Sequence, residues 1–146
     1  MAKIEFPGLE EYRQQLALLG REAPQIVNRA LYDGAKILAD TVQREIDTLP
    51  LDRRQIQGLH DGLGIARFWE RDGRVETKIG WEGYNKWRTK RWPLGQPNAL
   101  IARAQIRGTS WIHPNKFTNR AAKKAREACI KAMQARLERE LQKEMK

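Results

Sequence analysis

Two residues of a predicted strand have the types and the spacing of a metal-dependent nuclease site. Glu76 and Lys78 lie two residues apart, so on a strand their side chains would share one face. The carboxylate could bind a metal ion, and the ammonium could act as a catalytic lysine beside it. Such a site also needs a second acid, and Pro50-Leu51-Asp52 does not supply the usual Pro-Asp arrangement. Because Glu and Lys alternate on many exposed strands, we expect a solvated face here rather than a catalytic site.

The other reactive side chains form no catalytic pattern. His60 and His113 are isolated in predicted loops, without the spacing of a metal site or of a catalytic triad. Cys129 falls in the apolar row of a predicted helix, where a small core residue is expected, and a single cysteine supports no disulfide framework. Gly58 and Gly62 do not match a phosphate-binding loop, since no strand leads into them and no Gly-Lys-Ser/Thr follows. We therefore predict that the protein is not an enzyme and holds no metal or cofactor.

Basic charge is concentrated in the second half of the chain. Residues 1–60 carry 8 basic and 9 acidic side chains, whereas residues 61–146 carry 20 and 9, and the whole chain has a net charge of +10. Between Gly83 and Arg126, a range that we call the acid-free segment, there are 11 Lys or Arg and no Asp or Glu. This one-sided field implies an acidic partner, and charge alone leaves nucleic acid, an anionic membrane and an acidic protein surface open.

Length and composition predict one globular domain. A chain of 146 residues can bury a single core, and a content of 40% hydrophobic and 32% charged residues is unlike that of a disordered protein. No apolar run approaches the ~18–20 residues of a transmembrane helix, and the N-terminus lacks the apolar core of a signal peptide. We therefore expect a soluble protein that is made in the cytoplasm and has no membrane partner.

The acid-free segment contains the residues that we predict to contact a partner. Its first part, a predicted loop at 84–96, interleaves basic residues with tryptophans, a combination that can grip phosphates and stack bases. The alternatives are a solvated loop anchored by its tryptophans and a loop that becomes ordered against another protein. The candidates for a protein interface or a DNA contact are Trp87, Arg88, Lys90, Arg91, Trp92, Arg103, Arg107, Trp111, Lys116 and Arg120.

The elements that must position these residues follow from apolar periodicity. A short strand at 3–6 and a helix at 9–19 are predicted first, and Pro24 suits the first turn of a long helix that reaches Asp47. The predicted buried stripe of this helix is Val27, Leu31, Gly34, Ala35, Leu38, Val42 and Ile46, widened by Ile26, Ala30 and Ala39. We expect Gly34 to permit the close approach of another helix. The stretch 48–61 is predicted to be a mobile loop.

A β-hairpin is predicted around Asp72-Gly73, between residues 62–71 and 74–82. Its expected inner face pairs Phe68 with Thr77, Ala66 with Ile79 and Gly64 with Trp81. The same register places Arg67 opposite Lys78, which is unfavourable, so either the register slips or this face meets an acidic partner. An isolated hairpin is barely stable, and residues 2–6, residues 110–112 or a neighbouring subunit must supply further strands.

Two helices are predicted in the acid-free segment and beyond it. One begins at Pro97-Asn98 and stops at Gly108. The other runs from Phe117 to Met145, with Thr118 or Asn119 as its cap. Its apolar row is Cys129, Met133, Leu137, Leu141 and Met145, broadened by Ala122, Ala125 and Ala132, and its wet side is Arg136, Glu138, Arg139, Glu140 and Lys143. The predicted fold class is α+β, with a small antiparallel sheet packed against two long helices and one or two short ones, in one domain over 1–146.

Several short motifs occur in the order that is found in one family. They are Gly8-Leu9-Glu10-Glu11, Ala23-Pro24, Ala30-Leu31, Gly34-Ala35, Gly80-Trp81-Glu82-Gly83-Tyr84-Asn85, Pro97-Asn98-Ala99-Leu100-Ile101-Ala102-Arg103, Arg107-Gly108-Thr109-Ser110, Asn115-Lys116-Phe117 and Arg120-Ala121. Over most of its length the chain thus resembles the small tail-component or tail-completion proteins of long-tailed, non-contractile bacteriophages and their prophages. It departs from them at Ile106-Arg107, where the family often has an acidic-aromatic pair, and at Pro114-Asn115-Lys116-Phe117, where Asn-Pro-Phe is usual.

The resemblance implies a structural, non-enzymatic virion protein at the neck, where the DNA-filled head joins the tail. Related neck and tail-end proteins commonly form hexamers, so it implies a ring of copies of this chain, with six as one expected number. The implied partners are further copies, neighbouring neck or tail proteins and, as another candidate, the end of the packaged DNA. The implied location is the virion, with the host cytoplasm during assembly. The alternative from the residues themselves is a DNA-binding module that uses the loop at 84–96.

Overall fold

The computed structural model describes residues 16–18, 20–66, 69–71 and 74–144. The helices are α1 (Ala23–Ile46), α2 (Arg53–Gly62), α3 (Asn98–Arg107) and α4 (Phe117–Glu144), and a 3-10 turn at Gly20–Glu22 precedes α1. The strands are β1 (Leu63–Ile65), β2 (Trp69–Arg71), β3 (Arg74–Glu76) and β4 (Ile79–Trp81). This is an α+β fold with two long helices, as predicted. The strand predicted at 3–6 lies outside the described residues, as does the helix predicted at 9–19 except for its helical residues 16–18.

The two long helices pack against each other and form the larger part of the core. Their bounds confirm the predicted helices at 24–47 and 117–145 to within a residue, except that the predicted last residue, Met145, lies outside the described residues. The close approach predicted at Gly34 is also confirmed, because a Cβ there would lie 2.9 Å from both Cγ and Sδ of Met133. Cys129 Sγ donates a hydrogen bond to the Gly34 carbonyl at 3.3 Å. The buried members of this cluster are Leu16, Ile26, Ala30, Ala125, Cys129, Met133, Leu137 and Leu141.

Two acidic residues are buried between the long helices, which periodicity did not indicate. Glu45 is 5% exposed and pairs with Arg120 and Lys124, while Glu140 is 6% exposed and accepts a hydrogen bond from Arg29 at 3.1 Å. The prediction of Glu140 on the wet side was therefore wrong. A carboxylate can be buried when cations of the facing helix supply its hydrogen bonds. The buried face of α1 accordingly includes Thr41 and Glu45, and Val27, Leu31 and Leu38 are only partly buried.

The innermost pair of the hairpin is the predicted one, but the outer register differs. Near the turn Arg71 pairs with Arg74, as predicted, but farther out Leu63 pairs with Trp81 and Ile65 with Ile79. Gly64 therefore does not pair with Trp81. Between the pairs Ile65–Ile79 and Trp69–Glu76 the first strand has three residues and the second has two, a one-residue difference of the kind that a β-bulge produces. The shift brings apolar residues opposite each other and sets Lys78 opposite Ala66, whose backbone N–H donates to the Lys78 carbonyl at 2.7 Å.

Three other predictions are corrected. The stretch 48–61 is not a loop throughout, because α2 begins at Arg53. Asp52 caps this helix by accepting from the Arg54 N–H, and Gln55 completes a capping box. Residues 110–112 form a turn rather than a strand, and α4 begins at Phe117, so Thr118 and Asn119 lie inside the helix instead of capping it. The predicted pairing of Phe68 and the side-chain pairing of Arg67 lie outside the described residues.

A second buried cluster joins the short elements to the base of α4. Trp81 packs on Phe117 with ring centroids 5.9 Å apart, and its indole N–H donates to the Leu59 carbonyl at 3.0 Å. The buried members are Val42, Ile46, Leu49, Leu59, Ala102, Phe117 and Ala121. This cluster fixes α2 and α3, and these two helices carry the acid-free loops on the outside of the molecule.

Candidate docking surface

The basic side chains of the acid-free segment are directed to solvent. All 11 are exposed: Lys86, Arg88, Lys90, Arg91, Arg103, Arg107, Lys116, Arg120, Lys123, Lys124 and Arg126. Arg120 and Lys124 pair with Glu45, and within the described residues the other nine have no carboxylate partner. Because no acid of the segment screens them, these nine charges produce a positive field that is available to a partner.

The loop at 84–96 is irregular, as predicted, and is closed at its base by a buried amide network. Asn85 is 3% exposed, and its Oδ1 accepts from the backbone N–H groups of Trp87 at 3.1 Å and Gln96 at 2.9 Å. The side chains of Asn85 and Gln55 both donate to Gln96 Oε1, at 3.1 and 2.9 Å. The network joins the two ends of the loop and ties them to α2 before any partner binds.

Glycines allow the base of the loop to press directly on its neighbours. A Cβ on Gly58 of α2 would lie 2.5 Å from Asn98 Oδ1 and 2.6 Å from Asn85 Cβ. Gly95 has a φ of +97°, and a Cβ there would collide with the Asn85 carbonyl. Sequence reasoning did not predict this role for these glycines or for Asn85, because amide networks have no periodicity. The capping-box pattern at Asp52 and Gln55 was a usable signal for α2.

The tryptophans of this surface differ in their surroundings. Trp87 is half-buried, with the Arg54 guanidinium carbon 4.1 Å from its ring centroid, and Trp92 is half-buried with Arg91 at 5.7 Å. Trp87 therefore ties the loop to α2 as well as offering a surface, whereas the contact of Trp92 with Arg91 lies within the loop, and Arg88 and Lys90 are exposed. Trp111, by contrast, is 94% exposed. Tyr84, Leu94 and Leu100 are further large apolar side chains exposed in the acid-free segment.

Trp111 stands on a turn that is held by its own hydrogen bonds. Thr109 Oγ1 accepts from the backbone N–H groups of Trp111 at 3.2 Å and Ile112 at 3.1 Å, and the Thr109 N–H donates to the Ile112 carbonyl at 2.9 Å. Gly108 has a φ of +77°, and Pro114 packs where its Cβ would be. The turn thus holds the backbone of Trp111, and its indole extends into solvent.

The structure divides the predicted contact residues between two neighbouring places. Trp87, Arg88, Lys90, Arg91 and Trp92 lie on the loop at 84–96, beside the N-terminal part of α2. The others follow along the chain: Arg103 and Arg107 are on α3, Trp111 is on the turn after it, and Lys116 and Arg120 are at the start of α4. Gln55 connects the two places, because it bonds to Gln96 of the loop and also lines the concavity beside Trp111.

Of the side chains considered for catalysis, His60 and Cys129 occupy structural positions. His60 Nε2 lies 2.6 Å from Asp47 Oδ1 and its Nδ1 contacts the Gln43 amide, so it joins α2 to the end of α1. Cys129 is buried, and burial raises the pKa of its thiol, which favours the unreactive protonated form. Lys78 follows β3 instead of extending it, and the side chain of Glu76 lies outside the described part. Among the described residues, no group of three or more His, Cys, Asp or Glu could hold a metal ion.

The hydrogen bond from Lys124 is the largest influence on the pKa of the Glu45 carboxyl. With a smaller contribution from Arg120, it lowers the pKa of this carboxyl despite the opposing effect of burial. Arg120 also donates to Asn115 Oδ1 at 2.8 Å, so the same ion pair ties the turn before α4 to α1. The predicted contact residue Arg120 therefore has a structural role as well.

None of the described helices is long and apolar enough to cross a membrane. The chain matches no family model, and comparison with curated proteins and with solved structures likewise gives no match.

Proposed function

We propose that the protein is a non-enzymatic virion assembly protein that acts at a phage neck, in tail completion or head–tail joining, as a ring of copies. The observation that carries the docking role is the combination of nine exposed cations without carboxylate partners in the described residues and a Trp111 side chain that is 94% exposed. Aromatic and arginine side chains are enriched among the residues that dominate protein interfaces. The place in the virion comes from the family resemblance.

Complementation of a phage genome that lacks the gene tests this role. The wild-type chain is expected to restore joined heads and tails, and the variant R88E/K90E/R91E is expected to leave them separate. The control K36E/R44E/R139E makes the same change of charge at exposed positions on α1 and α4 and is expected to restore joining. Joining without the gene, or absence of the chain from purified particles, would refute the virion role.

The ring is tested separately. Light scattering in solution and imaging of purified particles should show several copies about one axis. A chain that is a monomer in solution and present as one copy per particle would contradict this part of the proposal and leave the joining role in place.

The second candidate function is DNA binding by the loop at 84–96. It is favoured by Arg88, Lys90 and Arg91, which are exposed on a loop that the Asn85–Gln96 network holds in place. Phosphate contacts by these three residues would make affinity fall with salt, and the variant R88A/K90A/R91A would reduce the slope of log K against log salt by about 2.7. Filter binding over a salt series measures this, and an unchanged slope would exclude the loop as the DNA site.

A further inference from the structure

An open concavity of about 550 Å³ lies beside Trp111. It is bounded by the connector between α1 and α2, by α3 and by the turn before α4. We call it the Trp111 groove, and its lining residues are Pro50, Leu51, Gln55, Gln105, Trp111, Ile112, His113, Pro114 and Asn115. None of them is Asp, Glu, Lys or Arg, so the groove lining carries no permanent charge.

Gln105 is the feature of the groove that most needs explanation. It is 2% exposed, and its buried Oε1 has no hydrogen-bond partner within the described residues. A buried amide oxygen without a partner costs free energy, and such groups are rare in folded proteins. A primary amide offers one acceptor and two donors, which suits the N–H and C=O of an extended backbone. Because Oε1 is buried, the Gln105 side chain must rotate toward the groove that it lines before a peptide backbone can pair with it, and this pairing would remove the cost of the unpartnered oxygen.

The walls of the groove suit an apolar side chain. Leu51, Ile112 and Pro114 supply aliphatic surface, and the indole of Trp111 stands free beside them on its hydrogen-bonded turn. The turn already holds the backbone of Trp111, and an indole has only two side-chain torsions to order, so its burial by a partner costs little conformational entropy and contributes efficiently to affinity. Apart from Trp111 and His113, the lining residues carry no aromatic ring on which a series of bases could stack, which favours a peptide over a nucleic acid here.

The rim of the groove is positive. Lys116 is exposed and follows the lining residue Asn115, and Arg120 donates to the Asn115 side chain at 2.8 Å. Arg107 is exposed at the end of α3. Asp52, which follows the lining residue Leu51, has its carboxylate paired with Arg54 at 2.9 Å. Carboxylates beside an apolar anchor would therefore meet cations at the rim.

We propose that the Trp111 groove binds an extended acidic peptide of a partner protein. One large apolar side chain of the peptide packs against Trp111 and Leu51, a backbone peptide group pairs with the Gln105 amide, and flanking carboxylates meet Lys116 and Arg107. This inference rests on the docking role proposed above and names the chemistry of the partner, but it does not depend on the virion or on the ring.

Selection from a random peptide library against the purified full chain tests the proposal. Enriched peptides are expected to carry net negative charge and at least one large apolar residue. Synthetic copies of them should bind W111A at least about tenfold more weakly, and Q105M more weakly than wild type. L94A, which removes an exposed apolar side chain from the loop at 84–96, is the matched control and should bind as wild type does.

Three results would overturn the inference: no enrichment of acidic peptides, equal binding by wild type and W111A, or a single-stranded oligonucleotide whose binding depends on Trp111 while that of the peptides does not. Trp111 is exposed, so W111A decides the test even if Q105M fails to fold. Failure here with normal joining in the complementation experiment leaves the assembly role intact. If the chain binds the peptides but heads and tails join without it, the virion role is refuted and the peptide-binding proposal stands.

Discussion

Charged residues serve different purposes at the α1–α4 interface and in the acid-free segment. Between the long helices, Glu45 and Glu140 are buried and each is paired with cations of the facing helix. In the acid-free segment, nine cations are exposed and lack a carboxylate partner in the described residues. The first set of charges is satisfied by folding, whereas the second set can be satisfied only by another molecule or by solvent. The comparison distinguishes charged residues that stabilise the fold from charged residues that the fold leaves available to a partner.

Trp81 and Trp111 provide the same comparison for one residue type. Trp81 packs on Phe117 and donates its indole N–H to the Leu59 carbonyl, but Trp111 is 94% exposed on a hydrogen-bonded turn. If the two regions have the functions inferred here, substitutions in the first should change stability and substitutions in the second should change binding.

The largest expected effect on stability is that of W81A. The substitution removes the aromatic contact with Phe117 and leaves the Leu59 carbonyl without its donor. We expect the free energy of unfolding to fall by about 3 kcal/mol, at the low end for aromatic truncation because Trp81 is only partly buried. Urea unfolding followed by circular dichroism measures this. A loss below about 1 kcal/mol would show that the second cluster does not depend on Trp81.

The next effect concerns the contact of α2 with the loop at 84–96. In a helix, replacement of glycine by alanine normally stabilises by about 1 kcal/mol. At Gly58 the new Cβ would lie 2.5 Å from Asn98 Oδ1 and 2.6 Å from Asn85 Cβ, so we expect G58A to destabilise by about 1–2 kcal/mol instead. Hydrogen exchange should show the added opening at residues 85–96. The control is G64A, where a Cβ meets no atom within 4 Å. A stabilised G58A would refute the tight contact.

A smaller effect is expected for Glu45, and it should depend on pH. Because its folded pKa is lowered, the carboxylate contributes stability above its ordinary pKa of 4.5, and this contribution disappears as the pH falls through the folded value. Wild type should therefore be more stable than E45Q by about 1 kcal/mol at pH 7, and the difference should shrink below pH 4.5. Thermal unfolding of both proteins from neutral to acidic pH measures it. A difference that is constant with pH would contradict the ion-pair explanation.

The parts of the fold that could be predicted are those with a recognisable residue pattern in the sequence. Apolar residues at helical spacing marked α1 and α4, and Asp72-Gly73 marked the hairpin turn. The outer register was missed because the extra residue at 66–68 leaves no pattern in the sequence, and α2 was missed because its ten residues contain few apolar ones. Glu45 and Glu140 were missed because their cations Arg120 and Arg29 lie 75 and 111 residues away.

The candidate site was predictable in its charge but not in its shape. The absence of acids between Gly83 and Arg126 is visible in the sequence, and the exposure of all 11 cations agrees with it. The Asn85–Gln96 closure and the Gln105 amide depend on residues that approach only after folding, so no spacing rule indicates them. For the same reason, Trp87, Trp92 and Trp111 were all predicted as contact residues without distinction. The structure separates them, because Trp87 and Trp92 are half-buried and Trp111 is exposed.

The smallest expected effect on stability, and the sharpest test of the comparison, is that of W111A. Its side chain is 94% exposed, and the turn beneath it is held by Thr109, so removal of the indole should change the free energy of unfolding by less than about 0.5 kcal/mol. The same substitution should reduce binding of the selected acidic peptides by at least about tenfold. Urea unfolding and fluorescence anisotropy measure the two quantities on one preparation. If the comparison is correct, W81A has a large effect on stability and little effect on peptide binding, because the Trp81 indole supports the fold and lies outside the groove lining. A W111A protein that unfolds as readily as W81A would mean that Trp111 belongs to the fold, and the distinction between the two regions would then fail at its most exposed residue.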